Sequence, residues 1–213
     1  MFRSVLLSLL VFLASAAFAG NPRVQGWEDQ FNTTSLDLNR WIISRGGQVL
    51  SRQTNGFGTY EWRMRMASVS INASDTSGAS VSGGVSAGFA YINNSETEID
   101  FEFAGHIANT AFMANWKNTR PQNDPLASQS TVSWTPLYGI SQQFHTYKYV
   151  WTRRSIEFYV DGVLKAAHSS NIPTAPAYFM MNQWGTNNPN WGGTATVGTT
   201  RYFYIDWVRF TPQ

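Results

Sequence analysis

Residues 98–103 have the sequence EIDFEF, in which acidic and apolar side chains alternate without a break. Successive side chains of a β-strand point to opposite faces, so a strand here would place Glu98, Asp100 and Glu102 on one face and three apolar side chains on the other. The three carboxylates repel one another, which raises the pKa of at least one of them. Because this repulsion costs stability, and because a solvated face would interleave Lys or Thr, the stretch indicates a site of acid–base chemistry.

The spacing of the two glutamates indicates which chemistry this strand can support. Glu98 and Glu102 are four residues apart, so their Cα atoms lie about 13 Å apart on an extended strand. Side chains that lean towards each other bring the carboxyl groups to about 5–5.5 Å, the separation found in retaining glycosidases, whereas inverting enzymes need more room for a water molecule. The spacing therefore predicts a retaining pair, with Asp100 between the two as a hydrogen-bonding neighbour.

The sequence of the rest of the chain predicts short strands joined by turns. No stretch shows the spacing of apolar residues that is typical of an amphipathic helix. Asp161-Gly162, between two apolar runs, is a strong signal for a β-hairpin with a type I′ turn. The predicted strands cover residues 58–66, 97–103, 111–116, 146–151, 156–160, 177–182 and 201–210, and the predicted loops cover 74–84, 117–130 and 185–198. The pattern predicts an all-β fold, one antiparallel β-sandwich.

The amino-acid composition excludes some classes of function and favours others. The chain of 213 residues has no Cys, which excludes disulfides, thiolate metal sites and a Cys nucleophile. Its formal net charge is only +2, so we expect no nucleic-acid partner. Aromatic residues make 15% of the chain against 13% charged residues, and nine of them are Trp. Much of this belongs to the core, but the excess of Trp also favours a surface on which flat sugar faces stack.

The N-terminal segment predicts export. Arg3 precedes an apolar run at residues 5–13, and small residues mark a cleavage site at 17–19, the order found in secretory signal peptides. A retained N-terminal anchor is the alternative. We expect residues 1–19 to be removed and residues 20–213 to form one β-sandwich domain, a monomer outside the cell or in the periplasm. No later run resembles a membrane helix, so we expect no membrane contact after cleavage.

Taken together, these motifs resemble glycoside hydrolase family 16, and within it the bacterial lichenase-like branch. The family signature Glu-x-Asp-x-Glu is present at residues 98–102, without the extra residue before the last Glu that laminarinase-type members usually carry. Further matching stretches follow in order over nearly all of the mature chain: FGTYEWRM at 57–64, FHTY at 144–147, YVDG at 159–162, MMNQW at 180–184 and DWVR at 206–209.

The resemblance implies a jelly-roll, concanavalin-like sandwich with a substrate groove across its concave sheet. It assigns Glu98 as nucleophile, Glu102 as general acid/base and Asp100 as their helper, with no cofactor required for catalysis. The residues that it places along the groove are Tyr60, Glu61, Arg63, Phe89, Asn115, Asn182, Trp184 and Trp191.

Some of these assignments have simpler structural alternatives. Glu61 and Arg63 also fit an exposed cross-strand ion pair, and Trp184 and Trp191 also fit a core. The resemblance further implies a structural calcium ion, held through Asp206 and backbone carbonyl groups. An ordinary ion pair is the alternative at that position.

Two departures from the lichenase pattern bear on the substrate. Glu96 stands where lichenases usually carry a Trp, two residues before the nucleophile. Only fifteen residues separate Trp41 from Phe57, so a hairpin that helps to form the glycone subsites is missing. We therefore expect weak action on lichenan and better action on a substituted β-glucan.

The leading interpretation is a secreted retaining endo-β-glucanase that cleaves internal bonds of a β-1,3/1,4-linked polysaccharide. A transglycosylase and an exopolysaccharide depolymerase remain open within the same family. A noncatalytic carbohydrate-binding module is the alternative outside enzymes, although such a module needs no row of repelling carboxylates. The expected partner in each case is a polysaccharide, either a β-glucan or an exopolysaccharide.

Overall fold

Thirteen β-strands and no α-helix make up the secondary structure of residues 25–44, 47–120 and 127–213, the parts of the chain that the computed structural model describes. The strands are β1 (Trp27–Asp29), β2 (Trp41–Ser44), β3 (Gln48–Asn55), β4 (Gly58–Ser68), β5 (Gly84–Ile92), β6 (Thr97–Ala104), β7 (Thr110–Asn118), β8 (Ser128–Pro136), β9 (His145–Trp151), β10 (Ile156–Val160), β11 (Val163–His168), β12 (Ala177–Gly185) and β13 (Tyr202–Pro212). A search of the described residues finds no helix long and apolar enough to cross a membrane. The predicted signal peptide, residues 1–19, lies outside the described residues.

The strands form two antiparallel sheets. One has six strands in the order β1-β13-β4-β9-β10-β11, and the other has seven in the order β2-β3-β12-β5-β6-β7-β8. The acid strand β6 lies inside the seven-stranded sheet, where β5 and β7 hydrogen bond to its two edges. The predicted antiparallel sandwich is confirmed, and β6 has a neighbouring strand on each side to fix its position.

Apolar side chains from the inner faces of the two sheets fill the space between them. Tyr60, Trp62 and Met64 of β4 have no exposed surface, and the ring of Trp62 lies 4.4 Å, centroid to centroid, from that of Phe179 in the opposite sheet. Phe101 of β6 belongs to the same core. Burial of each such side chain stabilises the fold by about 1.5–3 kcal/mol. The apolar side of β6 is thereby held inward, and its acidic side must face outward.

The strands that sequence analysis predicted are present, with ends that differ by at most three residues. The predicted hairpin is confirmed: β10 pairs with β11, and Asp161 and Gly162 both have the positive φ of a type I′ turn, at 49° and 80°. Five strands (β1, β2, β3, β5 and β8) were not predicted. The predicted loop at 117–130 is wrong at both ends, because β7 runs to Asn118 and β8 begins at Ser128; residues 121–126 lie outside the described residues.

A buried polar cluster joins the two sheets near their β8 and β11 edges. Asn115 of β7 is fully buried. Its Nδ2 donates to the carbonyl oxygens of Ser170 and Asn171, at 3.1 and 2.8 Å, and its Oδ1 lies 2.7 Å from Nδ1 of His168. His168 Nε2 lies 2.8 Å from Oγ of Ser133 on β8. All polar atoms of the Asn115 side chain are therefore satisfied inside the protein.

The predicted place of Asn115 in the groove is wrong. Asn115 lies directly opposite Ile99 of β6, and directly opposed residues of an antiparallel pair share a face. Ile99 belongs to the core, so Asn115 points inward and cannot contact a ligand on the outer face. Its type and position in the strand matched the family pattern, but its function here is structural.

Asn115→Ala should destabilise the fold by about 2 kcal/mol or more, because it removes the donor to the Asn171 carbonyl and the partner of His168 Nδ1 inside the protein. The matched control is Asn182→Ala, an Asn on the outer face of the same sheet, which should change stability much less. Thermal unfolding of both variants measures the difference. A Tm for Asn115→Ala as high as that of Asn182→Ala would contradict the structural assignment.

Candidate active site

The outer face of the seven-stranded sheet carries the acid row, and strand register identifies what surrounds it. We call the outward-facing side chains of β12, β5, β6, β7 and β8 the acid face. Three rows cross these strands in that order: Asn182, Ala87, Glu102, Phe112 and Trp134; Met180, Phe89, Asp100, Ala114 and Val132; Tyr178, Tyr91, Glu98, Trp116 and Ser130. Each acid thus lies at the centre of one row.

Burial raises the pKa values of all three acids, and neighbouring charges raise those of Asp100 and Glu102 further. Burial, and to a smaller extent the charge of Glu98, together raise the pKa of Glu102 to about 7. Burial also raises the pKa of Asp100 well above its usual range, with further increases from Glu98 and Glu102. Asp100 is only 2% exposed. The pKa of Glu98 is raised by burial as well, but a hydrogen bond from Ser95 opposes this increase.

Glu98 is the acid with a dedicated hydrogen-bond donor. The hydroxyl of Ser95, in the turn between β5 and β6, donates to Oε2 of Glu98. Tyr91 lies directly opposite Glu98 on β5 and Trp116 directly opposite on β7. A hydrogen bond to a carboxylate favours its charged form. Glu98 is therefore the member of the row that is best held as an anion, between two aromatic side chains.

The turn that carries Ser95 has an unusual backbone. Asn93, Asn94 and Ser95 have φ values of 45°, 50° and 62°, in the left-handed region that non-glycine residues rarely adopt. Asn118 of β7 holds the turn: its side chain donates to the carbonyl of Asn94 at 3.0 Å, and its backbone N–H donates to the carbonyl of Ser95 at 2.7 Å. These contacts fix the hydroxyl of Ser95 beside Glu98.

Small side chains next to the acids leave space above the strand. Ala87 stands beside Glu102 and Ala114 beside Asp100. Phe89 and Met180 pack together with Ala87 as a small apolar cluster on this face. The arrangement gives an apolar floor with a gap over the acid row, and Phe89, a predicted groove residue, lies on this face opposite Asp100.

Three further predicted groove residues also lie on or beside the acid face. Asn182 shares the row of Glu102, and its buried Oδ1 has no hydrogen-bond partner among the described residues. Trp184 is 37% exposed near the end of β12. Trp191, in the loop after β12, packs edge-on against Phe112 of β7, with ring centroids 5.0 Å apart. These placements favour the groove over the core interpretation of the two tryptophans.

Predictions for the remaining groove residues are wrong, because β4 belongs to the other sheet. Tyr60 is fully buried in the core, and its hydroxyl donates to the carbonyl of Gly56. Glu61 and Arg63 lie on the outer face of the six-stranded sheet, where Glu61 pairs with Arg209 at 2.8 Å. The exposed cross-strand ion pair, the alternative interpretation, is what forms. Nothing in the sequence alone distinguished the outer faces of the two sheets.

Arg63 also bears on the calcium prediction. Its Nε donates to Oδ2 of Asp206 at 2.7 Å, so the carboxylate proposed as a calcium ligand already has a cationic partner. The described residues include no cluster of three or more acidic, His or Cys side chains that could hold a metal ion. The residues around Asp206 therefore do not offer a carboxylate-rich calcium site. Calcium binding through backbone carbonyls stays a prediction, and no catalytic step uses it.

Sequence reasoning missed the aromatic ring beside Glu98. Glu96, the departure from the lichenase pattern, accepts a hydrogen bond from the side chain of Asn93 within the turn. Trp116 provides a ring next to Glu98 from β7 instead. The alternation of β7 could have identified it, because Trp116 is two residues from Ala114 and so shares its face. Trp116 therefore places an aromatic ring beside Glu98, although position 96 itself carries none.

A β-sandwich with two glutamates four residues apart on an outward-facing strand has the arrangement of a glycoside hydrolase. Comparison with known families agrees: a model described as glycosyl hydrolases family 16 matches residues 19–209. The chain therefore belongs to glycoside hydrolase family 16, and the predicted resemblance is confirmed.

Individual relatives agree with this assignment. The beta-glucanase of Bacillus subtilis (strain 168) is 31% identical over 172 residues, which cover 78% of this chain and 63% of that relative. The chain thus spans less than two thirds of the length of this curated relative. Among solved structures, Bacillus licheniformis beta-glucanase matches with a TM-score of 0.69 at 24% identity over 90% of this chain and 100% of that chain. A transglycosylase, Crh5, matches with a TM-score of 0.70 at 16% identity over 88% and 84%. At these identities the structural matches support the fold, which is the predicted jelly roll.

Ser95→Ala should move the acidic limb of the pH profile of kcat/KM to higher pH. The variant removes the hydrogen bond that lowers the pKa of Glu98, so the pKa rises and a higher pH is needed to ionise the carboxylate. The basic limb, which Glu102 sets, should stay in place. Asn93→Ala is the matched control, since Asn93 lies in the same turn but contacts Glu96. An acidic limb that does not move, or that moves equally in both variants, would contradict the assignment.

Proposed function

We propose that the protein is a secreted retaining endo-β-glucanase that hydrolyses internal bonds of a β-1,3/1,4-linked polysaccharide, with Glu98 as nucleophile and Glu102 as general acid/base. The observation that carries the proposal is the difference between these two carboxyl groups. Glu98 accepts a hydrogen bond that favours its anion, whereas the pKa of Glu102 is raised to about 7. One group is thus ready to attack while the other still holds a proton near neutral pH.

In the first step, the Glu98 carboxylate forms a bond to the anomeric carbon of the sugar. The bond between that carbon and the glycosidic oxygen breaks, and Glu102 donates its proton to the departing oxygen. The product is a glycosyl ester on Glu98 and a free sugar hydroxyl on the leaving chain. The ester carries no charge, so the repulsion that Glu98 exerts on Glu102 disappears and the pKa of Glu102 falls.

In the second step, Glu102 acts as the base. It removes a proton from a water molecule, the water oxygen attacks the anomeric carbon, and the ester bond to Glu98 breaks. The carbon is inverted twice, which gives net retention of configuration. The fall in the pKa of Glu102 between the steps lets one side chain serve first as acid and then as base.

Asp100 helps the two glutamates as a neutral acid in this scheme. Burial and the charges of Glu98 and Glu102 raise its pKa well above the usual range, which favours the protonated form. A protonated carboxyl group can donate a hydrogen bond. The position of Asp100, between Glu98 and Glu102 on the same face, allows that donation to a neighbouring carboxylate without adding a third negative charge.

A sugar chain that crosses the acid face would find both apolar and polar partners. Phe89 provides the floor, and the exposed faces of Trp184 and Trp191 offer surfaces for sugar rings. The unpartnered Oδ1 of Asn182 can accept a hydrogen bond from a sugar hydroxyl. The names of the relatives, beta-glucanases, support a β-glucan as the polymer. The predicted signal peptide supports action outside the cell or in the periplasm.

The experiment that tests this proposal is incubation with lichenan, laminarin, xyloglucan and bacterial exopolysaccharides, followed by identification of the products. We expect proton NMR of the earliest products to detect the β-anomer first, and viscosity to fall faster than reducing ends appear. Glu98→Ala should lower kcat by about a thousandfold or more, and azide should restore turnover as a glycosyl azide of inverted configuration. Glu96→Ala, which removes a nearby acid outside the row, should remain active.

A different experimental result would contradict each part of the proposal. The α-anomer as first product would contradict the retaining mechanism, and release of monosaccharide alone would contradict internal cleavage. Sugar transfer to added oligosaccharides in place of hydrolysis would identify a transglycosylase. Binding of the polymers without cleavage by the wild type would identify a carbohydrate-binding module.

A further inference from the structure

Strand β8 presents an exposed Trp on the acid face that the proposed mechanism does not use. Trp134 is 66% exposed, and Val132, two residues earlier, is 54% exposed. Exposed Trp is uncommon, because burial of a large ring stabilises a fold. Among the described residues, the Trp134 ring contacts no other aromatic ring. β8 forms one edge of the seven-stranded sheet, so the folded core gains nothing from this side chain.

Strand register connects Trp134 to the acid row. Trp134 lies directly opposite Phe112 of β7, which lies directly opposite Glu102 of β6. Directly opposed side chains share a face, so the three residues form one line across the sheet. Neighbouring strands are about 4.8 Å apart, which places Trp134 about 10 Å from the strand that carries Glu102. The acid face therefore continues without a break from the acid/base to the edge of the sheet.

Aromatic side chains border this line. The loop after β12 brings Trp191 edge-on against Phe112. The loop is anchored where the N–H of Gly83 donates to the carbonyl of Gly192 at 2.7 Å. Gly192 has a φ of 80°, and a side chain there would collide with Thr186. The position of Trp191 is thus fixed by a turn that requires Gly, and it covers Phe112 while Trp134 remains open.

We propose that Trp134 forms an outer sugar-binding subsite, on which a ring of the polysaccharide stacks at a distance from the bond that is cleaved. The proposal rests on the proposed function, since its ligand is the same polymer. The Trp134 ring is flat, exposed and in the same row as Glu102. It is therefore better placed to stack on the flat apolar face of a sugar than to contribute to the protein core. A chain that extends across β7 and β8 reaches Trp134, and a short one does not.

The effect of Trp134 should consequently depend on the length of the substrate. Trp134→Ala should lower kcat/KM on the polymer by about three- to tenfold, which corresponds to the loss of one aromatic contact. The loss should fall mainly on KM. On the shortest oligosaccharides that the wild type cleaves, the variant and the wild type should be equal, because those substrates do not span the two strands.

The experiment measures kcat and KM for a series of oligosaccharides of increasing length, prepared from the polymer that the wild type cleaves best. Trp134→Phe should recover part of the activity on long substrates. Trp207→Ala is the matched control: Trp207 lies on β13, on the outer face of the six-stranded sheet beside Arg209. That variant should not change the dependence on substrate length.

The outcomes separate this inference from the function on which it rests. A wild type that cleaves none of the polymers would contradict the proposed function itself. An active wild type with a Trp134→Ala variant that is equal at every length, or equally impaired at every length, would overturn the subsite alone. Light scattering gives the last check, because a dimer that becomes a monomer in Trp134→Ala would show that Trp134 serves as a contact between copies of the chain.

Discussion

Repulsion within the row Glu98, Asp100 and Glu102 is the constraint on which the rest of the active-site face depends. Three acids share one face of one strand, and burial keeps water from screening them. The three groups differ in their hydrogen bonds and in their pKa values. Glu98 accepts a hydrogen bond from the Ser95 hydroxyl, Glu102 has a pKa raised to about 7, and burial raises the pKa of Asp100 well above its usual range. The proposed roles of acid, nucleophile and helper rest on these differences in surroundings.

A row that costs stability needs support from the rest of the fold. The opposite side of β6 contributes Phe101 to a core of large aromatic side chains, and strands on both sides pair with β6 over most of its length. Asn115 holds the neighbouring strand β7 to the segment after β11. Asn118 holds the turn that carries Ser95. Asn115, on the core side of β7, and Asn118, at the end of β7, thus stabilise the strand and the turn that stand beside the acids.

Alternation along single strands was enough to predict the acid row, the core face of β6 and the hairpin at Asp161. It was not enough to assign strands to sheets. Glu61 alternates as a groove residue would, but its strand pairs with β13 in the other sheet, and pairing between distant strands leaves no local signal in a sequence. Strand β5 was missed because its Gly, Ser and Ala residues resemble a loop. Those small residues are needed beside the acids, where Ala87 leaves room for a ligand.

The central claim, that burial and the charge of Glu98 together raise the pKa of Glu102 and so set it as the acid, is tested most directly by NMR titration of the glutamate carboxyl carbons. We expect Glu102 to titrate at about 7 in the wild type. In Glu98→Gln the negative charge is absent, so the pKa of Glu102 should fall, yet remain above its ordinary value because burial persists. A Glu102 that titrates near its ordinary value in the wild type, or that keeps the same pKa in Glu98→Gln, would contradict the account.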